Sequence, residues 1–521
     1  MSLPPATTQA GRSLRRSIRW LHATLARRLG VDPRALAAFR IGLGVVLLGD
    51  LLLRSRNLVA FYTDRGILPR SLLEAKRPVI SQLSVHALSG DVLLQAGLFL
   101  VAGICALALL VGYRTRLAVL VSWLLLVSLH ARNPLVLNGG DSLLRRLLFW
   151  GVFLPLGSRW SLDTLAGRVR GRARSGIGAR ERVAGVATAG LLIQVVLVYA
   201  TNAGFKLGSE RWLDGGALAH VFRLDEFTTP LGAALADLPA LLGVLEVVWL
   251  GLLVASVGLV ATTGRRRAVL AGLFVGAHLG MAATMRLGVF PFVSVVALLP
   301  FLPSGVWDRV SAAAATVRAS SVIGRLPSWL SLPKGEGERD GGRDEPRGEL
   351  AGRWQRVRAR SRKAGQAAGV VLVVGLLVWN AAAVGLVEAP DGVPGNLDPA
   401  EDSWDMFAAP PTRDVLVLAP AMTDDGGQVD ALHGGAVRWV PPPDGAAWYP
   451  TNRWRKYLRS VWATDDPAVL HGVADGLCHR WSRAHDSHVE TVSLYAVLEP
   501  TKLDGDGPVR RERLVSHSCR G

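Results

Sequence analysis

The sequence predicts a mainly α-helical, polytopic membrane bundle of about nine spans, with a small extracytoplasmic α+β domain at its C-terminus. Three observations predict it. Half of the 521 residues are apolar and only 19% are charged, and the mean hydropathy is +0.30. The apolar residues gather into runs close to the roughly twenty residues that a helix needs to cross a bilayer. The formal net charge of +18 sits in arginine clusters between those runs, where basic residues act as topology signals rather than as a nucleic-acid surface. Hydrophobicity this high excludes general disorder, and three cysteines are too few for a disulfide scaffold.

The predicted spans are 34–54, 92–112, 116–131, 142–157, 183–204, 241–263, 267–285, 288–303 and 367–387. Before the first lies a leader, 1–33, with Arg12, Arg15, Arg16, Arg19, Arg27 and Arg28 and no acid before Asp32, which places the N-terminus in the cytoplasm. The first apolar run is long and lacks a small-residue cleavage exit, so no cleavable signal peptide is expected. Alternate counting puts the loops 113–116, 158–182, 264–267 and 304–366 on the cytoplasmic side, and these hold the later arginine clusters. Residues 34–308 then form the membrane domain. Residues 309–366 form a basic linker, disordered over its Gly-rich stretch 334–350, and 388–521 form the extracytoplasmic domain. In that domain Val415–Leu418, Val437–Val440 and Val489–Leu498 read as short strands, and 453–463 and 467–484 as helices. Cys478 and Cys519 both fall there, in a compartment where a disulfide persists. The alternative is two unpaired thiols.

Ionisable groups at membrane depth are costly and are candidates for function. Arg40, Asp50 and Arg54 lie in the first span; Asp50 and Arg54 are spaced to pair on one helix face, and Arg40 and Arg54 lie about 40° apart around it. A structural salt-bridge network and a functional one both fit. Lys206 lies 24 residues after Arg182, about 36 Å along a helix. That is the end where the positive-inside rule disfavours lysine. It is either a base in a partly desolvated site or a side chain snorkelling to headgroups. His278, about 16 Å into its span, is either a hydrogen-bonded core residue or a proton-handling one. Glu246 is a weaker candidate. The loop from His130 to Asp141 carries Asn133, Asn138, Gly139 and Gly140 and reads either as the lining of a polar pocket or as a plain tight loop. Trp404-Asp405-Met406-Phe407 reads as part of an interfacial aromatic belt, and the basic, aromatic run Asn452 through Tyr457 either as an ordinary amphipathic helix or as a patch for a headgroup or nucleic acid. A P-loop, a dinucleotide fingerprint, H-E-x-x-H and C-x-x-C are all absent from the sequence.

Several ordered segments stand out together: Phe39-Arg40-Ile41, Phe61 through Gly66, Arg132 through Asp141, Arg159-Trp160-Ser161-Leu162-Asp163, Ala203 through Leu207 with Trp212 and Gly215, and His278 through Pro291. On these, residues 34–308 resemble the horizontally transferred transmembrane (HTTM) domain, the membrane part shared with vitamin K-dependent gamma-carboxylases. The tail, with Asp402 through Ala408 and Asn452 through Arg455, resembles bacterial members. The resemblance implies a carboxylase-like lyase in which a lysine deprotonates reduced vitamin K. Oxygen adds, the strong base so formed removes a γ-proton from peptide glutamate, and the carbanion takes up carbon dioxide. Lys206-Leu207…Trp212 is similar to the family's lysine context, so Lys206 is the implied base. His278 stands beside it, and Asn133, Asn138, Asp141, Arg40 and Trp212 are on the substrate. Also implied are reduced vitamin K or menaquinol as cofactor with no metal, a secreted peptide or a lipid at the outer leaflet as substrate, and a plasma or inner membrane as location. A non-catalytic role in maturation or export of a secreted peptide stays open. A transporter would show inverted repeats or paired broken helices, which are not seen.

Overall fold

The computed structural model describes residues 16–17, 19–20, 23–68, 70–76, 81–82, 84–169, 182–320, 349–383, 386–388, 404–440, 442, 445, 448–464, 466–501 and 508–519. The chain is mainly helical. Its principal helices are α1 (Pro33–Ser55), α2 (Val92–Val111), α3 (Thr115–Arg132), α4 (Gly139–Val152), α5 (Val186–Leu207), α6 (Pro239–Ala255), α7 (Gly264–Thr284), α8 (Phe290–Leu298), α9 (Glu349–Ala383), α10 (Asn452–Trp462) and α11 (Pro467–Ala484).

Among the described residues, α1, α2, α3, α5, α7 and the stretch Ala364–Ala382 of α9 are long and apolar enough to cross a membrane. Six spans become up to eight if two bent pairs each count as one: Pro230–Ala236 with α6, bent by 104°, and Phe290–Phe301 with Ser304–Thr316, bent by 105°. This is a multi-pass membrane protein. The expected span over 142–157 is the one that falls short. Its helix α4 has 14 residues, about 21 Å by helical rise, against a hydrocarbon core of about 30 Å. It begins in a capping box, where the Asn138 side chain accepts from the backbone of Gly140 and Asp141 and the Asp141 carboxylate accepts from Asn138 N. It stops two residues before Pro155, which disfavours helix in the residue preceding it. The last span expected at 367–387 appears as the apolar stretch Ala364–Ala382, with no helix boundary at 366/367 because α9 runs unbroken across it. The stretch 334–350 lies outside the described residues apart from its last two.

Helix α1 begins at Asp32, whose carboxylate caps Arg34 N with Pro33 in the first turn. It is the axis of the bundle. Arg40, fully buried, reaches across to α2 and donates to the carbonyls of Leu109 (2.7 Å) and Leu110 (2.5 Å), and to Trp160 O (2.5 Å). Leu109 and Leu110 lie in the last turn of α2, where carbonyls lack the partners of a continuing helix, and Trp160 lies in the loop after α4. Gly112 ends α2 at φ 74°, the left-handed conformation of a helix stop. A Cβ there would meet the Arg40 guanidinium and Ser161.

The C-terminal part is an α+β unit. β1 (Arg413–Leu418) and β2 (Pro420–Thr423) follow one another along one side of β4 (Val489–Pro500); β3 (Gln428–Asp430) extends β2, and β5 (Arg510–Ser518) covers the other side of β4. Every pairing is antiparallel, with Val415 opposite Leu498, Ala421 opposite Val492 and Val492 opposite His517. Helix α11 packs on β4 and β5, and a Cys478–Cys519 disulfide ties them together. The expected helices correspond closely to α10 and α11. The strands expected at Val415–Leu418 and Val489–Leu498 form, whereas 437–440 is irregular. β2, β3 and β5 were not foreseen; β5 is rich in charged residues and shows no apolar alternation. The core of this unit is continuous with the membrane part, since Phe61, Tyr62, Ile67, Phe99 and Val136 pack in the same cluster as Trp454, Tyr457 and Val497.

Candidate functional site

The segments singled out in the sequence meet in pairs. Arg132 donates to Leu68 O (2.9 Å) and lies 3.6 Å from Asp64, and Asn133 donates to Phe61 O (3.1 Å). Arg40 and Asp163 hold the two sides of the Gly112 turn, with the Asp163 carboxylate accepting from Arg114 N and Thr115 N. The third pair joins α5 to residues 404–407.

That third junction borders a cavity of about 1350 Å³. Lys206, 1% exposed, stands in the last turn of α5. Its Nζ donates to Met406 O (2.8 Å) and Phe407 O (3.0 Å) and lies 4.1 Å from the centre of the Trp212 ring. Trp212 Nε1 donates to Phe407 O (2.7 Å) as well. One turn below, Asn202 Nδ2 donates to Trp404 O (2.9 Å) and Met406 O (3.1 Å). Phe407 is held at φ 53°, a conformation that costs a non-glycine residue of order 1–3 kcal/mol. Trp404 is buried, with the Arg146 guanidinium 4.7 Å over its ring. The aromatic belt expected here is therefore a buried latch, its carbonyls turned onto α5.

Of the sequence-predicted residues, Lys206, Trp212 and Asn138 line the cavity. His278 does not. It is buried behind the wall, where its Nε2 meets the Tyr199 hydroxyl at 2.9 Å and its ring packs edge-on to Trp249 and Phe290. Arg40 is the helix cap described above; fourteen residues separate it from Arg54, so a shared helix face still leaves the two about 21 Å apart along the axis. Glu246 accepts from Ala217 N and Leu218 N, capping the short helix Ala217–Phe222.

Asp141 and Asn133 are not in the cavity lining either. Asp141 joins a closed cluster with Asp50, Arg54 and Arg453, in which all four side chains are buried. Arg54 donates to Asp50 (2.6 Å), Asp141 (2.5 Å) and the Tyr62 hydroxyl (2.6 Å). Arg453 of α10 donates to Asp50 (2.7 Å), to both oxygens of Asp141 (2.5 and 2.8 Å) and to Val136 O (2.7 Å). The pairing of Asp50 with Arg54 expected from their spacing is present. The second arginine arrives from about four hundred residues away.

Residues that the sequence reading did not assign also line the cavity: Asn202, Arg146, Asp405, Arg455, Lys456 and Phe227. The run Asn452 through Tyr457 forms the amphipathic helix expected of it, with Arg453, Trp454, Arg455 and Tyr457 all buried. Among the described residues, no group of three or more His, Cys, Asp and Glu side chains is placed to hold a metal ion.

The HTTM domain family matches residues 30–307, just over half of the chain. The chain belongs to this family. The HTTM domain is a membrane domain related to carboxylases, and the match covers α1 through α8 with Lys206, His278 and the cavity's apolar wall. The latch and α10 lie beyond it. No curated protein and no solved structure matches the chain.

Proposed function

We propose that this HTTM protein is a quinol-dependent, carboxylase-like lyase. It acts on a peptide or lipid at the outer leaflet of a bacterial plasma or inner membrane, with Lys206 as its base. The single observation that carries the reading is the burial of Lys206 on the wall of a cavity large enough for an amphiphile. Ligand sites are commonly 300–1,000 Å³ and mostly apolar with a few convergent polar groups; this one is about 1350 Å³. The arginine clusters support a cytoplasmic N-terminus, and the Cys478–Cys519 disulfide supports an oxidising compartment for the C-terminal unit.

The residues present fit a quinol: aromatic side chains for a ring, Trp212 and Phe227, and an aliphatic wall from α6 for its tail. When bound, a reduced quinone would supply, on oxygenation, the strong base that carbon-acid deprotonation demands. Lys206 Nζ takes a hydroxyl proton from the ring, for which it must first turn away from Met406 O and Phe407 O. Trp212 positions the amine through its ring face, and Asn202 holds the latch from below. His278, bonded to Tyr199, sets the Trp249–Phe290 wall rather than touching the substrate.

A second reading is favoured by those same carbonyls. An amine that donates to two backbone carbonyls is arranged as an ammonium, and a non-catalytic role in maturing or exporting a secreted peptide needs Lys206 only as an anchor. Lys206→Arg separates the two, because arginine keeps the donors and loses the base. With quinol oxidation assayed in membranes, a base predicts a loss of at least about 100-fold in both Lys206→Arg and Lys206→Ala. Quinol oxidation that neither change alters would remove the base, and a cellular phenotype kept in Lys206→Arg but lost in Lys206→Ala would leave the anchor.

A further inference from the structure

The polar end of the large cavity is rich in cations and poor in acids. Arg145, Arg146, Lys206, Arg455, Lys456 and Arg459 line it, against Asp405 as the one acid among the described lining residues. Some of this charge is already answered. Lys206 holds the latch carbonyls, and Arg459 pairs with Glu226. Two neighbours on α10 are answered only in part, Arg455 by nearby Glu226 and Lys456 by Asp405. Arg455 is 8% exposed; it donates through Nε and Nη2 to Asn452 and through Nη2 to Arg286 O, and it lies 3.8 Å over the Phe227 ring, yet its buried Nη1 has no hydrogen-bond partner. Lys456, half-buried beside it, makes no hydrogen bond or ion pair among the described residues. An unpartnered guanidinium nitrogen next to an ammonium without a hydrogen bond is a site for an anion, and phosphate oxygens match it best.

The other end of the cavity is an apolar groove between α6 and α7. Leu245, Val248 and Leu252 line it from α6, and Gly272, Gly276 and Gly280 from α7. The glycines recur every four residues and so share one helix face, and a Cβ at each would meet open space. Their face is a strip of helix backbone with its hydrogen bonds satisfied internally. Leu245, Val248 and Leu273 are also exposed on the protein's surface, so the groove communicates with lipid.

We infer that this cavity binds a phosphate-bearing membrane lipid, with its headgroup on Arg455 and Lys456 and one acyl or prenyl chain along the Gly272–Gly276–Gly280 groove. A peptide fits less well, because its backbone N–H and C=O groups would lie unpaired against the aliphatic half. As an occupant of the catalytic cavity the lipid is the acceptor in the reaction proposed above. To that extent the inference rests on that reading, but the binding itself does not require turnover.

The test uses the full-length protein. It is extracted from vesicles of phosphatidylcholine alone, or of phosphatidylcholine with phosphatidylglycerol, and bound lipid is counted by native mass spectrometry. The expected result is selective retention of phosphatidylglycerol, lowered roughly tenfold by Lys456→Gln, the loss of one charge-assisted contact. Gly276→Phe, which fills the chain groove, lowers it comparably. Lys456 has no hydrogen-bond partner to lose, so its variant reports binding even if Arg455→Gln fails to fold. Glycerol phosphate, which has the headgroup without chains, should displace the lipid poorly. Displacement by glycerol phosphate as effective as by whole lipid would reduce the site to a free-phosphate site and overturn the lipid assignment. Retention of both lipids alike, or displacement by a glutamate-rich peptide, would overturn it too. Quinol oxidation is measured in the same preparations. Lipid retained without Lys206-dependent turnover defeats the catalytic reading alone, and turnover without selective retention defeats this one alone.

Discussion

Two buried cationic sites lie close together in this protein and are satisfied in opposite ways. In the first, Arg54 and Arg453 meet Asp50 and Asp141, and cations and carboxylates balance. In the second, Lys206 meets the carbonyl oxygens of Met406 and Phe407 and the face of the Trp212 ring, with no carboxylate in hydrogen-bond contact. Removing one partner from a buried ion pair strands an uncompensated charge, so the first site resists opening. Carbonyls of a short segment can be exchanged for water or for a ligand at little net cost, since such hydrogen bonds contribute about 1 kcal/mol each. A closed charge network thus joins α1 and α4 to α10 permanently, and a neutral latch joins α5 to the 404–407 segment reversibly. Cohesion and access are assigned to different chemistry.

The largest effect that would test this contrast is expected at Asp141. Asp141→Ala leaves Arg54 and Arg453 with one shared acceptor, Asp50, in place of two, and should destabilise the protein by about 3–5 kcal/mol in detergent unfolding monitored by tryptophan fluorescence. A change below about 1 kcal/mol, the range of a surface pair, would show that the cluster is solvated and the contrast false. A smaller effect is expected from Trp212→Phe, which removes one donor to Phe407 O while keeping an aromatic ring. It should cost about 1 kcal/mol and speed amide exchange in 404–408 while leaving exchange in α10 unchanged. Equal protection in both segments before and after the change would mean that the latch is as fixed as the charge cluster.

The smallest effect concerns a third arrangement, a carboxylate short of cations. Asp414 at the start of β1 accepts from Asp225 N (3.0 Å) and Glu226 N (3.4 Å). Burial, and then the neighbouring Glu226, push its carboxyl up to about 8. Glu226 is also raised by burial, while Arg459 and Arg455 oppose that shift. A carboxyl raised on folding favours the protonated state, so its contribution is complete below about pH 4 and is lost as pH climbs through about 8. Thermal midpoints should therefore fall from roughly pH 4 to pH 8 and level off above that, and Asp414→Asn should flatten that slope. An unchanged slope in the variant would assign the dependence to another group.

Much of the bundle was legible because lipid imposes one rule on many residues at once: apolar runs of sufficient length, with arginines between them. The rule misled where length and composition part company. The 142–157 run is apolar enough, yet its capping box at Asn138 and the proline at 155 leave room for only 14 helical residues. Of the site, Lys206 and Trp212 were legible because a lysine in that place is anomalous. Arg455 and Lys456 were legible only as a basic, aromatic run with a headgroup patch as one of two readings, because nothing local separates a basic helix facing solvent from one folded onto a membrane cavity. Asp141 was recognised as polar and misplaced as pocket lining, since its partner Arg453 is more than three hundred residues distant. β5 was missed for a related reason: its residues carry charge on both faces, and pairing with β4 rather than a buried stripe makes it a strand.

The guanidinium groups of Arg40 and Arg54 act as two bolts on α1, one fastening the C-terminus of α2 and the other fastening α4 and α10. A rod fixed near both tips cannot slide lengthwise or roll. Helix α7 has no such fastening along its Gly272–Gly276–Gly280 face, where little of the surface is packed and bare backbone meets the groove. The same fold thus sets a helix pinned by cations against one left smooth.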